Sequence, residues 1–498
     1  MKDYKSQMSN FKIVFCLIAS LFNLFLSRCS HQNNQITIVY DAMPVNLDPH
    51  LRREIVTISI LCNIYEPLIT PDPNMKIIPC IAEYWEKIDS VTWRFYLRNN
   101  VRFHNQKRLN PNDVVYSLYR PFNLSGSQYT ALRGYIDTII PEDTNKVLFH
   151  LKVPHPFLLY DLANIYIIPE GFDPSDGKFC GTGPYKVKNL QKDRIELVKF
   201  KDYWNNKIDF DRATFLFIPE VEKRIELLEK DEVDIITFIP LTYLERLSNA
   251  GRVVATSGVA VRYIEMDLSK FPFNRVEFRQ ALNIGIDRRL LAEKVYHKFA
   301  VPANQFISQG LFGFDYNLQQ FMYNPDSAKK LLKKLDEIPV IEFDFAESRA
   351  FIAEAIINNL EKIGIKINPH SLSVEKYWEK INNRKSQFYL IGSVPLSNEG
   401  VSILRSSFHT RNLSKGLGTL NNTNYSNKEL DQLIEKMITT SDLKVCAKLV
   451  NDAQKILLRD LPKIPVVWEK EIYGVSDRIE WNPRLDELII IKEIRLKK

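Results

Sequence analysis

At residues 181–184 the chain reads Gly-Thr-Gly-Pro, directly ahead of the run YKVKNLQKDRIELVKF. Paired glycines ahead of such a run raise anion chemistry first, because a glycine-rich loop that opens a helix aims backbone N–H groups at a phosphate. Two features oppose that chemistry here. Pro184 has no N–H to give, and no Lys-Ser/Thr pair comes after it. From Tyr185 the residues alternate like a strand, turn at QKDR and return as IELVKF. GTGPY therefore reads as a structural turn in which Gly181 and Gly183 supply positive φ, not as a nucleotide site.

Other chemistries find little purchase. The eight histidines are scattered without an HExxH pair, and no CxxC occurs, so no metal site is predicted. No nucleophile elbow is present, and the chain is not read as an enzyme; no cofactor is expected. Beyond Cys16 and Cys29, the cysteines are Cys62, Cys80, Cys180 and Cys446, too few for a disulfide scaffold. One bridge among them would leave three pairings open. A net charge of +7 is small for 498 residues, and basic residues alternate with acidic ones, which excludes a nucleic-acid stripe. With 45% hydrophobic and 26% charged residues, the composition is that of a globular chain of two or three domains.

The N-terminus carries an address. Lys2, Lys5 and Lys12 precede the apolar run IVFCLIASLFNLFL, residues 13–26, which is shorter than the roughly 20 residues a spanning helix needs. A basic start, a short apolar stretch and a polar exit describe a secretory signal. Cys29, three residues beyond Leu26, is the candidate for lipid attachment, although Arg28 stands where lipoprotein signals carry a small residue. No later segment is long and apolar enough to span a bilayer, so the remainder is expected to be exported.

The elements that must position any site emerge from period and punctuation. ITIVY, residues 36–40, reads as a strand. VTWRFYLRNNVRF, residues 91–103, reads as a hairpin turning at Asn99-Asn100. Asn110 caps a helix with Pro111 in its first position and Asp113 in its first turn. EFRQALNIGIDRRLLAEKVYH reads as two short helices, the second capped by Asp287. In SRAFIAEAIINNLEKIGIKI, Ala353, Ile356, Ile357, Leu360 and Ile363 recur at helical steps, and Gly364 supplies a left-handed stop. With VIEFDF before it and IKI after, this is a strand–helix–strand unit of a parallel sheet. Helices near 427–438 and 442–459 lead to a strand at LPKIPVVW.

The order of these pieces resembles a known family. GTGPYKVKNLQKDRIELVKFKDYWNNK is similar to the turn, hairpin and Tyr-Trp close of solute-binding proteins of bacterial ABC importers, in the peptide-binding branch. VNLDPH, CNIYEPLITPD, IAEYWEKIDSVTWRFYLRNNVRFHNQKRLNPNDVVYSLYR, EVDI, FPFNRVEFRQALNIGIDRRLL and YSNKELDQLI keep the family's order, and the likeness covers about residues 36–498.

The resemblance implies an α/β fold of the class II periplasmic-binding-protein type: two lobes, an inserted third domain and a hinged ligand cleft. Residues 1–29 would be the signal and lipoprotein segment. Lobe I would comprise 30–62, 171–260 and 466–498, the inserted domain 63–170, and lobe II 261–465, with hinges at VAVRYIE and KIPVVWEKE. It further implies an extracytoplasmic subunit, in the periplasm or at the cell surface and held to the membrane by its N-terminal lipid. Such a subunit captures a short peptide or peptide-like solute and delivers it to an ABC permease driven by separate ATPases. The alternatives are the same fold binding a non-peptide solute, or a surface adhesin or sensor that does not transport.

Site residues carried over from the resemblance are Tyr263 and Glu265 in VRYIEMDL, Tyr129 in SGSQYTAL, and Trp468 on the returning strand. In QFYLIGSVPLSNEGVSIL the family's Arg falls at Leu390, its Trp at Ser393 and its Asp at Leu396. That Asp pairs with the α-ammonium of a bound peptide. A buried charge left unpaired costs about 2–5 kcal/mol, so the leucine predicts solutes without a conventional free N-terminus unless Glu265 or another carboxylate substitutes.

Overall fold

The computed structural model describes residues 34–497 apart from 52–53, 126, 128, 130–131, 175–176, 206, 250–251, 257–258 and 394–398. The run ITIVY lies in the strand Gln35–Tyr40, the centre of a seven-stranded sheet. It pairs in parallel with Arg212–Phe217 and with Ile235–Ile236. Ile36, Ile38 and Tyr40 enter one apolar cluster, while Val39 enters another with Ile225 and Leu228. Both faces are covered at its second half, which is why Ile38, Val39 and Tyr40 are buried in succession.

A six-stranded sheet forms the second body, in the order Ala300–Pro302, Lys463–Glu469, Val261–Met266, Phe388–Ser393, Ile341–Ala346 and Ile367–Leu372. It contains the expected strand–helix–strand unit. Ile341–Ala346 and Ile367–Leu372 pair in parallel, Ile341 opposite Ile367, with helix Ala350–Lys362 between them. Ile352, Ala353, Ile356 and Leu360 form its buried face, and Gly364 at φ 96° ends it. Asp287 accepts a hydrogen bond from Leu290 N at 3.0 Å, capping the second short helix. Helices Lys428–Thr439 and Leu443–Asp460 pack on each other before the return strand.

The third body is an antiparallel four-stranded sheet, Ala82–Lys87, Thr92–Leu97, Lys146–Leu151 and Ile136–Glu142, backed by helix Pro111–Asn123. That helix starts with a reciprocal cap. Asn110 Oδ1 accepts from Asn112 N at 2.8 Å, and the Asp113 carboxylate accepts from Asn110 N at 2.9 Å. Such a cap is worth about 1 kcal/mol.

Two expectations need correction. No hairpin turns at Asn99-Asn100; Thr92–Leu97 lies between Ala82–Lys87 and Lys146–Leu151. Its apolar face, Phe95 and Leu97, packs with Val147 and Phe149, and this long-range burial outweighs the local turn signal. Residues 102–108 instead close their own turn, with Phe103 N donating to Lys107 O at 2.9 Å. Gly181 and Gly183 do not adopt positive φ. They are needed for close approach: a Cβ on Gly181 would stand 2.0 Å from Ile64 O, and one on Gly183 2.6 Å from Ile64 C. Gly183 N donates to that carbonyl at 2.9 Å, stitching the turn to residues 63–65.

The same joint explains three of the motifs. The buried Glu66 carboxylate accepts hydrogen bonds from Thr182 Oγ1 at 3.0 Å, Tyr203 OH at 2.7 Å and Trp204 Nε1 at 2.9 Å. YEPL, GTGPY and DYW therefore converge on one carboxylate, where the four-stranded body meets the seven-stranded sheet. All four described cysteines are unbridged.

Candidate functional site

Two adjacent strands carry the chain between the large sheets. Val253–Ala255, in the seven-stranded sheet, leads to Val261–Met266 in the six-stranded one; Lys463–Glu469 leads back to Ile472–Val475. The segments are paired on both sides of the crossing. Val253–Ala255 is antiparallel to Ile472–Val475, and Val261–Met266 to Lys463–Glu469. Between them Thr256 N donates to Glu471 O at 3.1 Å, and Glu469 N to Ala260 O at 3.0 Å.

A cavity of about 780 Å³ opens beside this crossing, within the range of small-molecule sites. Its walls come from just beyond the C-terminal ends of parallel strands in both sheets. Phe238 and Ile239 follow Ile235–Ile236, Ser348 and Arg349 follow Ile341–Ala346, and Gly392 lies near the end of Phe388–Ser393. Open α/β sheets bind ligands at such strand ends, where helix N-termini and loops converge.

The polar wall is built on Glu469. Arg262 Nε donates to Glu469 Oε1 at 3.2 Å and its Nη2 to Oε2, Tyr296 OH donates to Oε1 at 2.6 Å, and Arg349 Nη1 lies 3.3 Å from Oε1. Burial pushes the Glu469 carboxyl up, but Arg262, Arg349 and the Tyr296 hydroxyl more than offset this and hold it below the usual range. Arg262 reaches this position across Gly392, where a side chain would collide with it.

Two further acids line the cavity in a different state. Burial raises Glu471 to about 8, with the charges of Glu487 and Glu469 adding to it. Burial likewise raises Glu487 to about 7, helped by Asp486 and Glu469. Among the described residues, neither carboxylate makes an ion pair or accepts a side-chain hydrogen bond, although the Ile472 backbone N–H and, at longer range, Arg349 give Glu471 slight help. Their remaining exposure opens into the cavity.

The residues expected from sequence fall elsewhere. Tyr263 and Trp468 meet in one apolar cluster with Phe306 and Phe408, on the face of Val261–Met266 opposite Arg262. Tyr263 OH donates to Phe306 O at 2.8 Å. Glu265 is buried with Lys463 Nζ at 2.5 Å and Tyr389 OH at 2.6 Å. Tyr129 donates to Asn164 O at 2.8 Å in the core of the four-stranded body. The structure thus brings Tyr263, Glu265 and Trp468 together around the crossing strands, and none of the four, Tyr129 included, lines the large cavity. Ser393 ends its strand opposite Val261, next to Gly392, while Leu390 is buried in the core. Leu396 and Cys29 lie outside the described residues. A separate cavity of about 320 Å³, lined by Cys62, Cys80, Asn164 and Arg484 among others, shares no residue with the first.

Sequence reasoning missed Arg262, Tyr296, Arg349, Glu469, Glu471 and Glu487. A signal was present for three of them: Arg262 interrupts the apolar run GVAVRYI, and Glu469 and Glu471 interrupt IPVVWEKEIYGV. Charges inside apolar strands need partners or a cavity.

The family described as "Bacterial extracellular solute-binding proteins, family 5 Middle" matches residues 76–415. A heme-binding protein A of Haemophilus influenzae is 26% identical, the alignment covering 82% of each chain. A dipeptide-binding protein of Escherichia coli is 25% identical over 78% of this chain and 80% of that one. The ABC transporter-associated periplasmic binding protein DppA of Helicobacter pylori, solved in complex with the peptide STSA, superposes with a TM-score of 0.75 at 22% identity, covering 94% of this chain and all of that one. Among the described residues, no helix is long and apolar enough to cross a membrane.

Proposed function

This chain belongs to the bacterial extracellular solute-binding proteins of family 5, and on that premise we propose that it is the capturing subunit of an ABC importer for peptides or peptide-like solutes. The observation that carries the reading is the cavity between the C-terminal strand ends of two sheets joined through two adjacent crossing strands. Two bodies on so narrow a connection close by hinge bending around what lies between them. The proposed bodies are lobe I (30–62, 171–260 and 466–498), an inserted domain (63–170) and lobe II (261–465), with hinges in VAVRYIE and KIPVVWEKE.

In this reading the end of strand Phe388–Ser393 offers backbone to an extended solute, as sheet edges do for peptides. Tyr263, Glu265 and Trp468 contribute by holding the crossing strands and Tyr129 by holding the core of the inserted domain, and Ser393 and Leu396 remain the residues assigned to the solute. Export through the N-terminal signal and lipid attachment at Cys29 complete the proposal, placing the protein at the membrane surface beside its permease and ATPase. No catalytic role is assigned.

The test is a native mass spectrum of residues 30–498 purified without refolding. Adducts that fragment into short amino-acid series support peptide capture. A tightly bound chromophore or metal chelate would move the protein to the second reading, a non-peptide solute on the same fold, which the 26% identity to a heme-binding protein favours.

A further inference from the structure

The cavity wall contains three glutamates with unequal surroundings. Glu469 is saturated by Arg262, Arg349 and Tyr296. Glu471, two residues on and lining the same cavity, has no such partner among the described residues. Neither has Glu487, which approaches from the C-terminal segment with its backbone at φ 63°, its N–H bonded to Arg484 O at 3.1 Å and its carbonyl accepting from Tyr473 OH at 3.3 Å. Asp486, beside it, is paired to Arg484. The elements facing this pair supply Lys470 and His297 at the cavity wall, Tyr40 and Tyr473 within electrostatic reach, and Arg349 more remotely.

Two half-buried carboxylates that line one cavity within electrostatic reach of each other, helped only slightly by the Ile472 N–H and the more distant Arg349, are costly to ionise together. A cationic group would remove that cost by donating a hydrogen bond to each side. We propose that Glu471 and Glu487 form a subsite for a cationic nitrogen of the captured solute, an ammonium or guanidinium group. The inference rests on the cavity being the capture site. It narrows the solute to one that carries positive charge. Burial keeps both carboxyls protonated to higher pH than ordinary acids, so a cation bound there displaces protons and affinity for such a solute rises with pH through the neutral range.

The test uses three probes by calorimetry and thermal shift at pH 8: trialanine, which has an ammonium and a carboxylate; N-acetyl-trialanine, which lacks the cation; and agmatine, which lacks the carboxylate. Trialanine and agmatine are expected to bind with proton release, seen as a buffer-dependent enthalpy, and to weaken at least about thirtyfold in Glu471→Gln/Glu487→Gln. N-acetyl-trialanine should bind both proteins alike. Agmatine binding without trialanine binding would end the peptide reading and keep the cation subsite. Equal affinity of wild type and variant for both cationic probes, or no binding of either, would overturn the inference. Retention of the wild-type circular dichroism spectrum by the variant, with Glu487→Asp restoring part of the affinity, separates loss of the subsite from loss of fold.

Discussion

Arg262 runs across the backbone of Gly392: a Cβ there would stand 2.4 Å from the guanidinium Nη1 and 2.8 Å from Cζ. Only glycine lets the arginine pass over the neighbouring strand to reach Glu469, so the glycine shapes the cavity wall through another residue's side chain.

Gly392→Ala must therefore displace Arg262 from Glu469. We expect about 1–3 kcal/mol lower stability in urea denaturation and at least a tenfold loss of affinity for whichever solute co-purifies. An alanine variant with unchanged stability and affinity would show that Arg262 has another route.

Glu469 neutralises two arginines, one of them nearly buried. Glu469→Leu leaves Arg262 without its counter-ion and should cost about 3–5 kcal/mol. Adding Arg262→Leu should recover part of the loss, because the orphaned charge goes with it. A double variant no more stable than the single one contradicts this account.

Glu471 and Glu487 give the ligand-free protein an unusual pH dependence. Their carboxyls titrate near 8 and 7 when folded, against an ordinary 4.5. A group that holds its proton more tightly in the folded state stabilises fully below about pH 4.5 and loses that contribution as pH rises to 7–8. Melting temperatures of the empty wild type should thus decline from pH 5 to 8 more steeply than those of Glu471→Gln/Glu487→Gln. Parallel curves would mean that the two carboxyls titrate normally.

Gly181 is closed to any side chain by backbone, not by a movable neighbour. Gly181→Ala should cost about 3 kcal/mol or more and lower soluble yield. Saturating solute should not rescue it selectively, because the joint around Ile64 and Glu66 lies outside the cavity. Full rescue by solute would tie that joint to binding.

Much of the fold was legible because its elements are periodic and punctuated. Helix Ala350–Lys362 shows its buried face in the sequence, Asn110 and Asp287 announce their helices, and Gly364 ends one. The motifs were legible too, but YEPL, GTGPY and DYW mark the joint at Glu66 and not the cavity. The site was harder to read. Arg262 and Glu469 are 207 residues apart and meet only because two crossing strands pair. On Val261–Met266, attention to the tyrosine and glutamate at 263 and 265 selects one face of the strand, while the arginine at 262 lines the cavity from the other. Side chains alternate along a strand, so a step of one residue exchanges ligand wall for core.

The paired crossing has a mechanical corollary. Two strands hydrogen-bonded side by side behave as one flat ribbon, compliant to flexing across its plane and stiff to sliding of one strand on the other. The bodies it joins therefore have a single soft coordinate, an angle. Solutes of different length would stop that coordinate at similar settings, and a partner docked against both bodies could sense occupancy as geometry without touching the cargo.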